Sequence, residues 1–182
     1  MTKQELATLI KGVQKKDRLS QKRLYLQFCD YSMTVCARYA RSDQEAEEIV
    51  NEVFFKVITK IDTYSPQHSF ITWLHTITVR TAIDYLRANK QAPTTDNVVI
   101  LENVIVSEDI LDHLSTEEIL QLVRKLPPAY RATFNLYVVE GYSHSEIAEA
   151  LGVTEGTSRS NLMAARQKLQ AFIIQSNKVT LQ

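Results

Sequence analysis

Between residues 46 and 61 the apolar positions Ala46, Ile49, Val50, Val53, Phe54, Val57, Ile58 and Ile61 recur at spacings of three and four. That period gathers them into one broad stripe of an α-helix. At about 100° per residue, Glu48, Asn51, Glu52 and Phe55 fall on or near the opposite side. An aromatic set among carboxylates on a polar face fits a partner surface. The segment "IDTYSPQHSF", residues 61–70, carries the Asp, Ser and Pro of a turn and ends this helix. A further helix is predicted from Phe70 to Asn89, apolar nearly all round through Leu74, Ile77, Val79, Ala82, Ile83, Tyr85 and Leu86, hence mostly buried. One strip departs from this: Trp73, Thr76, Arg80 and Arg87 project together and suit phosphate contact and base stacking. The alternative is a Trp packed in the core beside two solvated arginines.

Residues 91–114, "QAPTTDNVVILENVIVSEDILDHL", break the helical period and contain no basic residue. They read as an acidic linker between two domains, 1–90 and 115–182. The second domain opens at "STEE", where Ser115 and Glu118 have the spacing of a capping box. The next helix is predicted within "LPPAYRATFNLYVVEGYS", with Pro127 and Pro128 at its start and Gly141 at its stop. Ser143 and Glu146 repeat the capping spacing, so a helix starts there and buries Ile147, Ala148 and Leu151. Gly152 and Val153 make a sharp turn, and Thr154 caps a second helix whose Leu162, Ala165, Leu169 and Phe172 face inward. This is a helix-turn-helix pattern, whose second helix enters the DNA major groove. Its outward positions are Thr157, Arg159, Ser160, Met163 and, further along, Arg166: side chains suited to guanine, to base edges or phosphate, and to a thymine methyl. Two helices of an ordinary bundle are the alternative reading of this motif.

Charge sharpens the picture. The chain has 182 residues and no net charge, yet its segments differ strongly. Residues 1–41 carry +6, 43–52 carry −5, 53–90 carry +3, 91–118 carry −7, 119–155 carry −1 and 156–182 carry +4. Such segregation points to several surfaces with different partners. No apolar run reaches the roughly 18–20 residues of a membrane span, and the first residues lack a signal-peptide pattern, so a cytoplasmic protein without membrane insertion is expected. Cys29 and Cys36, seven apart, read as two buried thiols in preference to a metal site with His68 or His75.

Taken together, "DQEAEEIVNEVFFKV", "FITWLHTITVRTAIDYLR", the acidic linker and "LPPAYRATFNLYVVEGYSHSEIAEALGVTEGTSRSNLMAARQKLQ" resemble a bacterial sigma factor of the extracytoplasmic-function type. The resemblance covers roughly residues 20–90 and 115–170. It implies an all-α fold of two small helical domains, the second a helix-turn-helix domain. It also implies that Glu48, Asn51, Glu52 and Phe55 dock on the clamp helices of core RNA polymerase. The loop 61–69 and helix 70–89 would capture and melt the minus-ten promoter element, with Arg80, Arg87 and Lys90 as DNA contacts and Trp73 partly structural. The helix-turn-helix would read the minus-thirty-five element, the linker would thread polymerase channels that otherwise hold nucleic acid, and an anti-sigma factor is an expected partner. Two positions depart from the family pattern: Arg80 where an Asn is usual, and Ser158 where an aliphatic residue usually packs the recognition helix.

No cofactor and no covalent chemistry are expected. Two competitors remain. A stand-alone helix-turn-helix regulator would bind operator DNA without polymerase, but no sustained heptad offers a dimer seam. A metal-dependent hydrolase would use Asp43, Glu45, Glu48 and Glu52, yet a matching ligand set on a second helix is missing.

Overall fold

The computed structural model describes residues 1–89 and 116–180, with side chains placed for 1–89 and 118–175. Every regular element among them is helical. The chain divides into two compact units, Met1–Tyr85 and Leu86–Gln182. The linker expected over 91–114, the cap Ser115 and the candidate contact Lys90 lie outside the described residues.

In the first unit, α1 (Lys3–Gln14) starts at a capping box that Thr2 and Glu5 close from both sides. The hydrogen bond from the Thr2 N–H holds the Glu5 carboxyl below its ordinary range. The helix α2 (Arg18–Cys36) is capped by Asp17, whose carboxylate accepts from the Ser20 N–H at 2.8 Å and from its hydroxyl at 2.6 Å. Between them Gly12 lets α1 pass against Ser20: a Cβ built there would stand 2.1 Å from the Ser20 Oγ. Gly12→Ala is therefore expected to push Ser20 off its cap and destabilise the protein by about 1–3 kcal/mol, the range of overpacking. A chemical-denaturation midpoint equal to wild type would refute this.

The helix α3 (Asp43–Thr59) buries Ala46, Ile49, Val50, Val53, Phe54 and Val57, as its period requires. It packs on α2, with Tyr25 tilted on Phe54 at a centroid distance of 4.8 Å. A single 3₁₀ turn, Ile61–Thr63, then leads through 64–69 into α4 (Phe70–Ala88). Leu74, Val79, Ala82, Ile83 and Leu86 of α4 are buried, whereas Ile77 and Tyr85 are only half-buried. The α2 side of α4 is held by Phe28 on Phe70 at 5.0 Å and by a hydrogen bond between the Tyr31 hydroxyl and His75 Nδ1 at 2.9 Å.

Of the two thiols expected to be buried, Cys36 is and Cys29 is only half so. Cys36 is buried, and burial pushes its pKa up to about 12. Cys29 is half-buried at the rim of a cavity between α2 and α3, and both are free. His75 is occupied by Tyr31 and His68 is exposed, so they do not converge on the cysteines.

In the second unit, α5 (Thr116–Arg124), α6 (Pro128–Phe134), α7 (His144–Leu151) and α8 (Glu155–Thr180) surround a core of Leu126, Ala129, Tyr130, Ala164 and Ala165. Phe134, Leu169 and Phe172 pack on it half-buried. The single helix expected after Pro127 and Pro128 changes character midway. From Asn135 to Val139 it widens into a π-helical turn, closed by Glu140 N–H to the Asn135 carbonyl at 3.0 Å. Gly141, at φ +76°, ends it. The widened turn buries Asn135 and Leu136 and leaves Tyr137, Val138 and Val139 exposed.

Candidate nucleic-acid and polymerase interface

The helix-turn-helix is built from its caps. Ser143 and Glu146 form a reciprocal box at the start of α7, and Gly152 at φ +69° takes the left-handed conformation that ends it. Ile147, Ala148 and Leu151 are buried, as the pattern predicts. Thr154 Oγ1 accepts the Thr157 N–H at 3.0 Å and starts α8. On α8, Arg159, Ser160, Met163 and Arg166 are exposed, Met163 by 52%. Thr157 differs: it is half-buried and its hydroxyl is shared with Thr154 at 2.9 Å, so capping occupies the group expected to face DNA. The inward face also differs from an all-apolar stripe. Leu162 and Ala165 are buried, but so are Ser158 and Asn161.

Ser158 has a partner that spacing could not reveal. Its Oγ lies 2.9 Å from Nδ1 of His144, and the His144 ring stacks on Tyr137 at 4.6 Å and 24°. A chain Tyr137, His144, Ser158 thus ties the π-helical turn and the first residue of α7 to the recognition helix. Partial burial, then the nearby Arg159 and Arg166, hold the His144 imidazole below its ordinary pKa. Ser158→Val would remove the hydroxyl and leave the His144 nitrogen facing a methyl group. The loss of a half-buried hydrogen bond is worth about 1 kcal/mol, so a modest fall in melting temperature is expected. An unchanged melting curve would show that the bond carries nothing.

In the first unit, Glu48, Asn51, Glu52 and Phe55 are all exposed on one face of α3, Phe55 by 64%. Glu48 is not simply solvated. Its Oε2 accepts the Tyr85 hydroxyl at 2.8 Å, and partial desolvation together with this bond raises the Tyr85 pKa to about 12. About two turns on, Lys56 pairs with Asp84 at 3.0 Å. These two bonds join the acidic face of α3 to α4. Glu45 faces inward instead: it is buried and accepts from the Arg41 backbone and guanidinium. The four carboxylates of the hydrolase reading therefore do not converge, and among the described residues no three His, Cys, Asp or Glu side chains could hold a metal ion.

On α4, Thr76, Arg80 and Arg87 are exposed, but Trp73 is half-buried. Its indole joins Tyr64 and Phe70 in an aromatic cluster with centroids 5.3–5.5 Å apart. The same cluster shapes the loop after α3, where the Tyr64 hydroxyl donates to the His68 carbonyl at 2.9 Å. Between that loop and α1 lies a groove of about 510 Å³, lined by Lys3, Lys11, Tyr64, Gln67, His68 and Phe70 among others. The sequence carried a hint of the cluster in its three aromatics within ten residues; the groove needed α1 in place.

The chain matches the family described as Sigma-70 region 2 over residues 24–92 and Sigma-70, region 4 over residues 116–169. The two matches run in order and together span more than half of the chain. It belongs to the sigma-70 family, as a factor of the extracytoplasmic-function type. It is 28% identical over 173 residues to the ECF RNA polymerase sigma-E factor of Escherichia coli K12, covering 88% of this chain and 90% of that one. It is 28% identical over 164 residues to the ECF RNA polymerase sigma factor SigE of Mycolicibacterium smegmatis, covering 87% of this chain and 63% of that one. Among solved structures, the sigma factor RpoE of Bartonella quintana, crystallised with the anti-sigma factor NepR, superposes with a TM-score of 0.50 at 20% identity, over 85% of this chain and 96% of that one. This last likeness is one of fold. In sigma-70 terms, α3 and α4 lie in region 2 and the helix-turn-helix lies in region 4.

Proposed function

We propose that this sigma factor binds core RNA polymerase and directs it to promoters, taking part in initiation without covalent chemistry of its own. The observation that carries the reading is the division of exposed charge on one chain: an acidic face tipped by Phe55 on α3, and basic strips on α4 and α8. The acidic face, Glu48, Asn51, Glu52 and Phe55, docks on a basic surface of the polymerase. Phe55 is the anchor and the carboxylates steer the approach.

The helix α8 enters the major groove of the minus-thirty-five element, where Arg159 and Arg166 meet base edges or phosphates and Met163 packs on a thymine methyl. The α4 strip of Thr76, Arg80 and Arg87 follows the backbone of the melted minus-ten strand, and Lys90 is a further candidate contact by its charge alone. Trp73 acts there mainly through the aromatic cluster, by holding the loop that faces the groove. That groove, with Lys3 and Lys11 on its α1 side, takes an unpaired base. Unpairing costs a few kcal/mol per base, which stacking and phosphate contacts must offset.

The domain assignment follows the same division: 1–90 for polymerase and minus-ten contacts, 91–114 as an acidic connection, 115–182 for the minus-thirty-five element. An anti-sigma factor that covers these faces is the expected regulator, and the cytoplasm is the expected compartment. Among the described residues no helix is long and apolar enough to cross a membrane.

In-vitro transcription with core polymerase of the source organism on genomic promoter fragments tests the proposal. Discrete transcripts that depend on this protein are expected. DNA binding without polymerase, and no dependent transcript, would favour the stand-alone regulator instead.

A further inference from the structure

From residue 150 to the end of the chain Glu155 is the only acid, against four Lys and Arg residues. A lone carboxylate at the start of a helix that must approach phosphates lowers overall affinity for DNA, so its position needs a reason. Glu155 is the first residue of α8, and its Oε2 accepts from Nη2 of Arg159 at 3.1 Å, with side chains 50% and 64% exposed. At about 100° per residue, Glu155, Arg159 and Arg166 share one strip of the helix.

We propose that Glu155 is a specificity-determining residue of the minus-thirty-five contact: it orients the Arg159 guanidinium toward a base edge and screens the adjacent base. The inference rests on the reading that α8 enters the major groove. An unrestrained Arg on this strip reaches phosphates as readily as guanine, because both are acceptors and its stem is long. With Nη2 fastened to Glu155, the guanidinium keeps a second proton on Nη2 and two on Nη1. Those suffice for the paired contact to guanine O6 and N7, while a swing toward the backbone would break the ion pair. The free lone pairs of the carboxylate repel phosphate, guanine O6 and N7, and thymine O4, and accept an amino proton from cytosine N4 or adenine N6. Glu155 therefore exchanges general affinity for discrimination.

An acid in the first turn of a helix also complements the helix dipole, and the test separates the two roles. Holoenzyme assembled with wild type, Glu155→Gln, Glu155→Asp or Arg159→Ala is bound to a promoter library randomised across the minus-thirty-five element, and each protein is melted alongside. Glu155→Gln keeps the length of the side chain and removes its charge. It is expected to bind random DNA several-fold more tightly and to flatten base preference at the positions that Arg159→Ala identifies, and at the neighbouring base. Glu155→Asp keeps a carboxylate for the dipole and guards against a mere folding defect; it is expected to melt with wild type and to flatten the profile partially. If Arg159→Ala flattens the profile while both Glu155 variants retain its wild-type shape, Glu155 serves the helix alone and the proposal is overturned. If Arg159→Ala also leaves the profile unchanged, the reading of α8 fails and the proposal falls with it.

Discussion

Glu52→Arg is expected to weaken binding to core RNA polymerase by roughly 30-fold or more while leaving the fold intact. Glu52 is exposed on α3, one turn beyond Glu48 and close to Phe55. Its carboxylate supports no core contact, so reversal costs the isolated protein little. At the interface it sets a cation against a basic surface beside the aromatic anchor. Truncation of an interface anchor costs about 2 kcal/mol or more, roughly a 30-fold loss of affinity, and a charge reversal next to one should match it. Titration of labelled protein with core polymerase measures this directly, with Phe55→Ala as a second variant of the same face. Wild-type affinity in both would remove α3 from the polymerase contact. An equal loss accompanied by a lowered melting temperature would mean that the helix itself had been damaged.

The second large effect is expected from Arg159→Ala, which should relax promoter choice without affecting polymerase binding. A bidentate Arg on guanine is worth about 1–3 kcal/mol of discrimination against the wrong base. Arg159 is 64% exposed and pairs with Glu155 on the same helix, so truncation leaves the packing of the unit unchanged. Transcription from promoters differing only in the minus-thirty-five element should converge toward one level. Retained discrimination would place the reading elsewhere on α8, with Arg166 and Met163 next in line. Because Arg159 and Glu52 lie in different units, their effects should separate cleanly into DNA choice and polymerase affinity.

Much of this architecture was legible in the residue pattern because helices announce themselves locally. The three-and-four spacing of Ile49, Val50, Val53, Phe54 and Val57 placed one face of α3 in the core, and these residues are buried. Ser143 with Glu146, and Gly152 after Leu151, marked the limits of α7 through hydrogen bonds and a left-handed turn that involve only near neighbours. The box of Thr2 and Glu5 at the start of α1 has the same spacing and the same local character. Period alone was less safe where a long-range partner rewrites the environment. Ser158 looked like a loss of packing, yet it is fully buried against a ring supplied from fourteen residues away. Arg131, a residue type expected in water, is 1% exposed and donates to the Arg124 carbonyl at 2.9 Å.

By itself the sequence determined the helices, their polar faces, the two motif blocks and the segregation of charge, since each depends on residues within a turn or two of one another. Only the tertiary structure decided which polar groups on those faces already have partners. It gave Glu48 to Tyr85, Lys56 to Asp84 and Ser158 to His144. The physical reason is separation along the chain. A hydrogen bond needs its groups within a few ångströms, and residues 14 to 37 positions apart reach that distance only once whole helices have packed.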